Sequence, residues 1–178
     1  MSFEMKKWSI NYLEDLKNAM NDPKLTESLR EDYPYPFLEQ HARHFIEQRM
    51  LNSEIKQCCR AIVSDSKLIG SIEILIGNGV YCGNAEISIW IDKDYRRRGI
   101  ATDTVKKMCG FVFDDYPVER IEAKPYIDEN IFIAEKLFHN AGFKFEGKIR
   151  NAVYKNGKYY SYKVFSMLRE DFNSLKDS

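Results

Sequence analysis

The chain lacks any apolar run approaching the roughly 20 residues needed to cross a bilayer, and its first ten residues, MSFEMKKWSI, lack the apolar block of a secretory signal. It contains little proline and glycine, five and nine of 178 residues, so its composition is neither collagen-like nor typical of disorder. With 44% hydrophobic residues it can bury a core. We expect a single cytoplasmic globular domain spanning residues 1–178.

Cysteine is also scarce. Cys58 and Cys59 are adjacent, whereas Cys82 and Cys109 stand alone. This spacing gives neither a CxxC zinc pattern nor the framework of a disulfide-rich secreted protein. We therefore expect reduced, mostly buried thiols and no metal site.

An excess of charge of one sign is absent, because 27 Lys and Arg residues balance 27 Asp and Glu residues. Domains that bind nucleic acids usually carry a surplus of basic residues. We therefore expect no nucleic-acid partner, and any recognition of phosphate must be local. Because the chain lacks a long apolar run, we also expect no membrane partner.

The spacing at which apolar residues recur along the chain predicts the order of helices and strands. Asn11 can cap a first helix that carries Leu13, Leu16 and Met20, and Pro23 follows the end of that helix. We predict strands near 5–8, 55–63, 68–76, 85–91 and 118–124, two final strands around an Asn-Gly turn at 156–157, and further helices near 38–50, 99–113 and 131–141. This order predicts an α/β (α+β) fold, a single mixed, mostly antiparallel sheet of about seven strands flanked by about four helices.

Strand 85–91 has two different faces. Its three isoleucines point one way, and Glu86, Ser88 and Trp90 point the other way. One polar face is therefore available for function.

Residues 91–102 join the end of that strand to the start of a helix through a basic turn. Between Asp92 and Lys107 six cations are balanced by only three anions, a surplus of three positive charges in a neutral chain. Gly99 allows a close approach to the backbone, and the N–H groups at a helix start carry partial positive charge. The stretch therefore predicts a binding site for an anion such as pyrophosphate.

The same stretch has a second interpretation. Three consecutive arginines, Arg96, Arg97 and Arg98, are also typical of a solvated turn or of a nucleic-acid contact. Neither the GxGxxG nucleotide motif nor a Walker phosphate loop is present. The pattern that is present is R-x-x-G-x-A between a strand and a helix.

Arg96, Gly99 and Ala101 match the (Q/R)-x-x-G-x-(G/A) acetyl-CoA signature, so the chain resembles the GNAT N-acetyltransferase superfamily. Further segments resemble its RimJ/RimL-like branch, which acetylates N-terminal amines of ribosomal proteins and has spermidine acetyltransferases as near relatives. These segments are YPYP at 33–36, AEISIWI at 85–91, AGFKFEG at 141–147 and SMLRE at 166–170.

The resemblance implies a GNAT-like fold and an N-acetyltransferase, an acyltransferase that uses acetyl-CoA as co-substrate and needs no metal. It also implies that the cofactor's pyrophosphate lies on the loop and helix start, and that the pantetheine arm pairs with the end of strand 85–91. The cofactor-binding residues implied in this way are Ile89, Trp90, Ile91, Arg96, Arg97, Arg98, Gly99, Ile100, Ala101, Thr102, Asn130 and Phe138.

Acetyl transfer to an amine requires a base for the amine's proton, a polarised carbonyl and a proton for the departing thiolate. The resemblance places the thioester beside the polar face of strand 85–91. Glu86 is the leading candidate for the catalytic base, Ser88 lies on the same face, and Glu73 is the reserve. The alternative for Glu86 is a solvated position or an ion pair with a neighbouring cation. We expect direct attack of the amine in a ternary complex, without an acyl-enzyme.

Two positions depart from the superfamily pattern. Alignment on Gly142 and Phe143 places Phe138, which cannot donate a proton, where many members have a tyrosine that acts as general acid. Asn130 resembles the helix-start asparagine that contacts pantetheine, but it lies one residue farther from Gly142. As an alternative, Asn130 or Asp128 is simply the N-cap of a helix.

The acceptor amine and the oligomeric state are left open by the sequence. A protein N-terminus of the ribosomal type is the preferred acceptor, with a polyamine, an aminoglycoside or a small metabolite as alternatives. A non-catalytic acyl-CoA-binding sensor is a further alternative, because of the departures at Asn130 and Phe138. A homodimer is compatible with the sequence.

Overall fold

Seven β-strands and six α-helices make up the part of the chain that the computed structural model describes, residues 2–29, 33–51, 57–126 and 131–176. The strands are β1 (Glu4–Lys6), β2 (Gln57–Ser64), β3 (Lys67–Ile76), β4 (Asn84–Ile91), β5 (Arg120–Ala123), β6 (Lys144–Lys155) and β7 (Lys158–Leu168). The helices are α1 (Leu13–Met20), α2 (Pro23–Ser28), α3 (Glu39–Leu51), α4 (Ile100–Asp115), α5 (Ile131–Ala141) and α6 (Arg169–Lys176).

The strands form one mixed sheet in the order β1-β2-β3-β4-β5-β7-β6. Strands β4 and β5 run parallel, whereas β1 and β2, β5 and β7, and β6 and β7 pair antiparallel. The predicted fold class and strand number are therefore confirmed. The two helices beyond the expected four are α2, which has only six residues, and α6, which has only two large apolar residues, Phe172 and Leu175.

Helix α2 begins at a proline. Pro23 follows the end of α1, as expected, but it also occupies the first turn of a new helix, where its missing N–H costs nothing. Asp22 caps this helix, since its Oδ1 accepts a hydrogen bond from the Lys24 N–H at 3.1 Å.

The N-terminal cap of the first helix differs from the prediction. Asn11 is not the cap, because the chain first forms a 3₁₀ turn over Ile10–Tyr12 and α1 begins only at Leu13. Ser9 caps that turn, and its hydroxyl oxygen accepts a hydrogen bond from the Asn11 N–H at 3.3 Å. The prediction fails because serine and asparagine are both good caps and lie two residues apart.

One compact unit comprises Met1–Glu73 and Ile89–Ala101. In this unit Glu4 of β1 lies opposite Val63 of β2, and the Asn21 side chain bonds both backbone groups of Phe37, which ties the 33–38 segment to the end of α1. Removal of apolar surface from water holds α1, α3 and the strands together. The core includes Trp8, Leu16, Met20, Phe37, Phe45, Ile46, Cys59, Ala61, Val63 and Leu68, with Trp90 packed against it.

The other unit comprises Ile74–Ser88 and Thr102–Ser178. Here β4 pairs with β5 over Asn84–Glu86, and β5 pairs along its whole length with β7. Strands β6 and β7 form a long hairpin whose turn residues, Asn156 and Gly157, both have left-handed backbone angles, as a tight two-residue hairpin turn requires. Buried residues of this unit include Val105, Met108, Ile121, Phe138, Phe143, Phe165 and Met167.

Arg169 connects the last helix to the rest of that unit. Its guanidinium donates hydrogen bonds to the carbonyl oxygens of Phe113, of Tyr116 at 2.9 Å and of Val118 at 2.6 Å. The first residue of α6 thus satisfies carbonyl groups at the end of α4 and in the turn before β5. Among the helices of the described ranges, none is long and apolar enough to cross a bilayer.

Candidate active site

The loop that follows β4 is anchored to the end of that strand. The Asp92 N–H donates to the Ile69 carbonyl oxygen at 2.8 Å, and Asp92 Oδ1 accepts from the Asp94 N–H at 2.9 Å, which caps a 3₁₀ turn. Arg96 Nε donates to the Ile91 carbonyl oxygen at 2.8 Å. Arg96 therefore holds the loop in place through its side chain.

Two residues with left-handed backbone angles then turn the chain into α4. Arg97 has φ of 62° and Gly99 has φ of 79°, a conformation that glycine adopts without steric cost. A Cβ built on Gly99 would have no heavy atom within 4 Å, so open space lies beside its backbone. Helix α4 begins at the next residue, Ile100, which is buried.

Positive charge surrounds this turn. Arg96, Arg97 and Arg98 are exposed, and Arg98 is held near the turn because its Nη2 donates to the Asp94 carbonyl oxygen at 2.8 Å. The first-turn N–H groups of an α-helix have no acceptor within the helix. Donor groups, cations and open space therefore occur together at the start of α4, and this combination fits a pyrophosphate.

The burial of β4 matches its predicted faces at Ile87, Ser88 and Ile91 but does not distinguish Ile89 from Trp90. Ala85, Ile87 and Ile91 are buried, Glu86 is half-buried, and Ser88 is exposed. Ile89 and Trp90 are both half-buried. The carboxyl-terminal part of β4 extends beyond Glu86, the last of its residues that pair with β5.

Glu86, the candidate base, takes part in an ion pair. Its Oε2 lies 3.2 Å from Lys124 Nζ, and its side chain is 16% exposed. Lys124 also lies 2.5 Å from Glu122 Oε1, and Glu122 is directly opposite Glu86 in the β4–β5 register. The cation pairing named above as the alternative for Glu86 is thus present, and the base role stays a prediction.

The charged network continues onto β6 and β7. Arg120 donates two hydrogen bonds of 2.6 Å to the two oxygens of Glu146, and Ser166 Oγ donates to Glu146 Oε1 at 2.6 Å. The Arg120 and Ser166 hydrogen bonds lower the pKa of Glu146, and the Glu146 hydrogen bond raises the pKa of Arg120. Sequence reasoning missed this network, although the alternation of charged and apolar residues in ERIEAK at 119–124 is a visible signal of it.

Glu73, the reserve base, lies in a different setting. Arg49 Nη2 donates to Glu73 Oε2 at 3.2 Å, and the Gln57 amide donates to Glu73 Oε1. Burial, together with the charge of Glu73, raises the pKa of the neighbouring Cys59 thiol to about 12. This thiol is therefore protonated at neutral pH and is not a nucleophile.

Phe138 is a core residue. It is 5% exposed, and its ring centroid lies 5.3 Å from that of Phe143 and 6.0 Å from that of Phe165. A contact between Phe138 and a cofactor stays a prediction. Asn130 lies outside the described residues.

Metal-ligating side chains do not cluster in the described ranges, where no three His, Cys, Asp or Glu residues are placed to hold an ion. None of the four cysteines forms a disulfide, and three of them are buried.

The family model for an acetyltransferase (GNAT) domain matches residues 3–143. The chain belongs to the GNAT acetyltransferase family. The enzyme class expected from the sequence, an N-acetyltransferase, is thereby confirmed.

Two relatives of this GNAT chain come from Bacillus subtilis. The SPbeta prophage-derived uncharacterized N-acetyltransferase YokL is 25% identical over 141 residues, which are 78% of this chain and 75% of YokL. YdaF, named as a candidate ribosomal N-acetyltransferase, is 27% identical over 94 residues, which are 52% of this chain and 49% of YdaF. The second match therefore spans about half the length of each protein.

Solved structures of other GNAT acetyltransferases share the fold. The microcin C7 self-immunity acetyltransferase MccE, in complex with acetyl-CoA and AMP, has a TM-score of 0.82 at 22% identity, covering 93% of this chain and 92% of MccE. The ribosomal L7/L12 alpha-N-protein acetyltransferase RimL, in complex with coenzyme A, has a TM-score of 0.81 at 16% identity, covering 94% of each chain. The spermidine N-acetyltransferase of Vibrio cholerae has a TM-score of 0.78 at 17% identity, covering 96% of this chain and 98% of that one. The predicted GNAT-like fold is confirmed by these matches.

Proposed function

We propose that this chain transfers the acetyl group of acetyl-CoA to the primary amine of a protein N-terminus of the ribosomal type. The observation that carries the proposal is the turn at Arg97 and Gly99, where left-handed backbone, open space and positive charge meet the start of α4. The choice of acceptor is supported by the fold of RimL, by the match to YdaF and by the RimJ/RimL-like segments of the sequence.

Acetyl-CoA supplies the acetyl group as an activated thioester. In this proposal the backbone N–H groups of residues 97–102 bind its pyrophosphate, because they combine a helix start with an open approach. Arg97 and Arg98 add positive charge at the same place. The main chain of Ile89, Trp90 and Ile91 pairs with the pantetheine arm.

Glu86 is the proposed base. An N-terminal amine has an ordinary pKa of about 7.7–8.0, so roughly a tenth to a sixth of it is neutral at pH 7, and a nearby carboxylate can take the proton that the nitrogen must lose. The amine nitrogen then bonds to the acetyl carbon and loses a proton to Glu86, the carbon–sulfur bond breaks, and the departing sulfur takes up a proton from solvent, so that coenzyme A leaves as its thiol. Ser88, exposed on the same face of β4, is proposed to orient the incoming amine.

Direct attack without an acyl-enzyme is supported by the cysteines. Cys58, Cys59 and Cys109 are buried, and burial raises the pKa of Cys109 above its ordinary range. The four cysteines without disulfides also support a reducing, cytoplasmic location for the enzyme. We extend the proposal to a single acetyltransferase domain over residues 1–178.

The experiment is mass-spectrometric detection of acetylation in a panel of N-terminal peptides, polyamines and aminoglycosides incubated with the protein and acetyl-CoA. Acetylation of N-terminal peptides is expected. A polyamine or aminoglycoside product would instead identify a different acceptor. Calorimetric binding of acetyl-CoA with no product from any amine would favour a sensor, and a stable acetyl-cysteine on the protein would overturn direct attack.

A further inference from the structure

The part of the β6–β7 hairpin around its turn differs in charge from the chain as a whole. Residues 147–163 contain five cations and no Asp or Glu, together with four of the 11 tyrosines of the chain. The cations are Lys148, Arg150, Lys155, Lys158 and Lys163. The zero net charge of the whole chain, from which we expect no nucleic-acid partner, therefore does not describe this part of it.

Three of these cations are available to a ligand, and we call them the hairpin cations. Lys148, Arg150 and Lys158 are exposed, and their side chains form no ion pair with any residue of the described ranges. The other two are not counted, since Lys163 forms an ion pair with a glutamate and Lys155 is buried.

Aromatic rings are exposed on one face of the same hairpin. Tyr154 lies opposite Tyr159, and the centroids of their rings are 5.0 Å apart. Lys163 is four residues from Tyr159 along β7, an even spacing that puts both on one face. Lys148 lies opposite Lys163, and the Lys163 ammonium is 5.7 Å from the ring centroid of Phe145. Phe145, Tyr154 and Tyr159, the hairpin rings, are each more than half exposed.

Cations and rings are interleaved along the hairpin. Between Ile149 and Val153 the register shifts, so that residues 150–152 of β6 occur opposite a single residue of β7. Arg150 lies in this bulge, between Lys148 and Tyr154 in the chain. Lys158 directly precedes Tyr159 at the other side of the turn.

This combination is complementary to a single-stranded nucleic acid, because phosphates pair with cations and bases stack on exposed rings. An acidic peptide would neutralise the cations but would leave the rings without flat partners. A second copy of the chain is disfavoured as the occupant. Strand β6 is at the edge of the sheet, and its exposed Lys148 and Arg150 oppose pairing with an identical edge.

We propose that the hairpin cations and the hairpin rings together bind single-stranded RNA. The six steps of β7 from Tyr159 to Phe165 span about 20 Å, which is close to the length of about six stacked nucleotides at roughly 3.4 Å each. The choice of RNA over DNA rests on the proposed function, since an acceptor of the ribosomal type lies beside RNA. Binding itself requires no acetyl transfer.

Fluorescence anisotropy with a labelled ten-nucleotide RNA of mixed sequence tests the proposal. Each phosphate that a cation neutralises on a single strand changes the slope of log K against log salt concentration by about −0.7. The three hairpin cations therefore predict a slope of about −2. The same RNA annealed to its complement should bind more weakly, because its bases are no longer available for stacking on the rings.

Variants separate the two kinds of contact. Lys148→Gln and Lys158→Gln should each weaken binding and make the slope shallower by about 0.7. Tyr159→Leu should lower the affinity about tenfold with the slope unchanged, because it removes a stacking surface and no charge. Arg97→Gln is the matched control, since Arg97 is an exposed cation outside the hairpin, and it should leave the affinity unchanged.

Three results would overturn the proposal. They are no measurable binding of RNA at low salt, tighter binding of poly-glutamate or of the matched DNA strand than of RNA, and a larger loss of affinity in Arg97→Gln than in the hairpin variants. The assay contains neither acetyl-CoA nor an amine acceptor. Its failure is therefore distinguishable from a failure of the proposed acetyl transfer, which the peptide panel measures.

Discussion

The Lys124 ammonium donates a hydrogen bond to the Glu86 carboxylate across 3.2 Å, from the residue that follows β5 to the middle of β4. A carboxylate fixed in this way has a defined orientation, which is what a base requires. The pair therefore constrains how Glu86 could act.

Glu86→Gln is the first prediction. The amide keeps the size of the side chain but cannot take a proton, so kcat should fall by roughly 10²–10⁴-fold, with the affinity for coenzyme A unchanged. Steady-state kinetics and calorimetry measure the two quantities. Glu122→Gln is the matched control, because it removes the other carboxylate on Lys124 and should affect kcat far less. Wild-type turnover in Glu86→Gln would remove this residue from the base role.

Gly99→Val tests the turn before α4. A valine at φ of 79° is strained by about 1–3 kcal/mol, and its methyl groups fill the open space beside the backbone. Binding of coenzyme A, measured by calorimetry, should be lost. Gly157→Val is the control, since Gly157 has nearly the same φ, 76°, and also has open space beside it, but lies in the β6–β7 turn. Equal loss of binding in both variants would mean that general destabilisation, not the site, is responsible.

The Arg120–Glu146 pair predicts a dependence of stability on pH. Hydrogen bonds from Arg120 and Ser166 lower the folded-state pKa of Glu146 below its ordinary value of 4.5. Stability from this pair is therefore complete above about pH 5 and is lost as the pH falls through the lowered pKa. Because Glu146 is 43% exposed, the contribution is discounted to about 0.5–1 kcal/mol.

Urea unfolding at neutral pH and at about pH 3 checks this expectation. Glu146→Gln should lower the free energy of unfolding at neutral pH and make its acid dependence shallower. Glu47→Gln, at an exposed position of α3, is the control and should change neither quantity appreciably. An acid dependence in Glu146→Gln as steep as that of the wild type would contradict the assignment.

Cysteine reactivity should follow burial. The pKa of Cys59 is raised to about 12 and that of Cys109 above its ordinary range, and Cys58 is buried as well. Brief treatment of the native protein with iodoacetamide near pH 8 should therefore modify the exposed Cys82 and spare the other three. Peptide mapping by mass spectrometry locates the label. Complete modification of all four is expected only after unfolding in urea, and its appearance in the native protein would be inconsistent with this core.

Phe138→Ala tests whether this residue is structural. Truncation of a phenyl ring buried against Phe143 and Phe165 should cost about 3–5 kcal/mol of unfolding free energy. Phe132→Ala, on the same helix but 61% exposed, should cost within about 0.5 kcal/mol. Chemical denaturation compares the two. Similar small costs for both would show that the Phe138 ring does not stabilise the fold by packing.

The spacing of apolar residues, together with the turn residues between segments, was sufficient to predict the sheet. Strands β3 and β4 begin within one residue of the predicted positions, and α5 has the predicted bounds, because each combines a clear hydrophobic period with a strong stop. Helix α2 has only six residues, and α6 has only two large apolar residues, Phe172 and Leu175, so neither shows a hydrophobic period. Their formation depends on tertiary partners, such as the carbonyl groups that Arg169 binds.

The candidate site likewise has parts that the sequence could predict and parts that it could not. The turn at Gly99 was predictable, because backbone conformation and helix starts leave local signals in sequence. The partners of Glu86 and Glu146 were not predictable. Strand pairing between distant parts of the chain brings Lys124, Arg120 and Ser166 to these two carboxylates. The sequence also could not show that Trp8 Nε1 and Arg49 Nε have no hydrogen-bond partner among the described residues, because a residue type does not show whether its N–H meets an acceptor.

The hydrogen bonds of Arg169 indicate where the chain can be truncated without loss of the fold. The family match ends at residue 143, yet β7 beside β5 and the guanidinium on the carbonyl groups of Tyr116 and Val118 come from later in the chain. A fragment cut at residue 143 would present β5 as an unpaired edge, a template for aggregation. The last 35 residues are therefore expected to be needed for a recoverable, monodisperse protein rather than being a dispensable appendage.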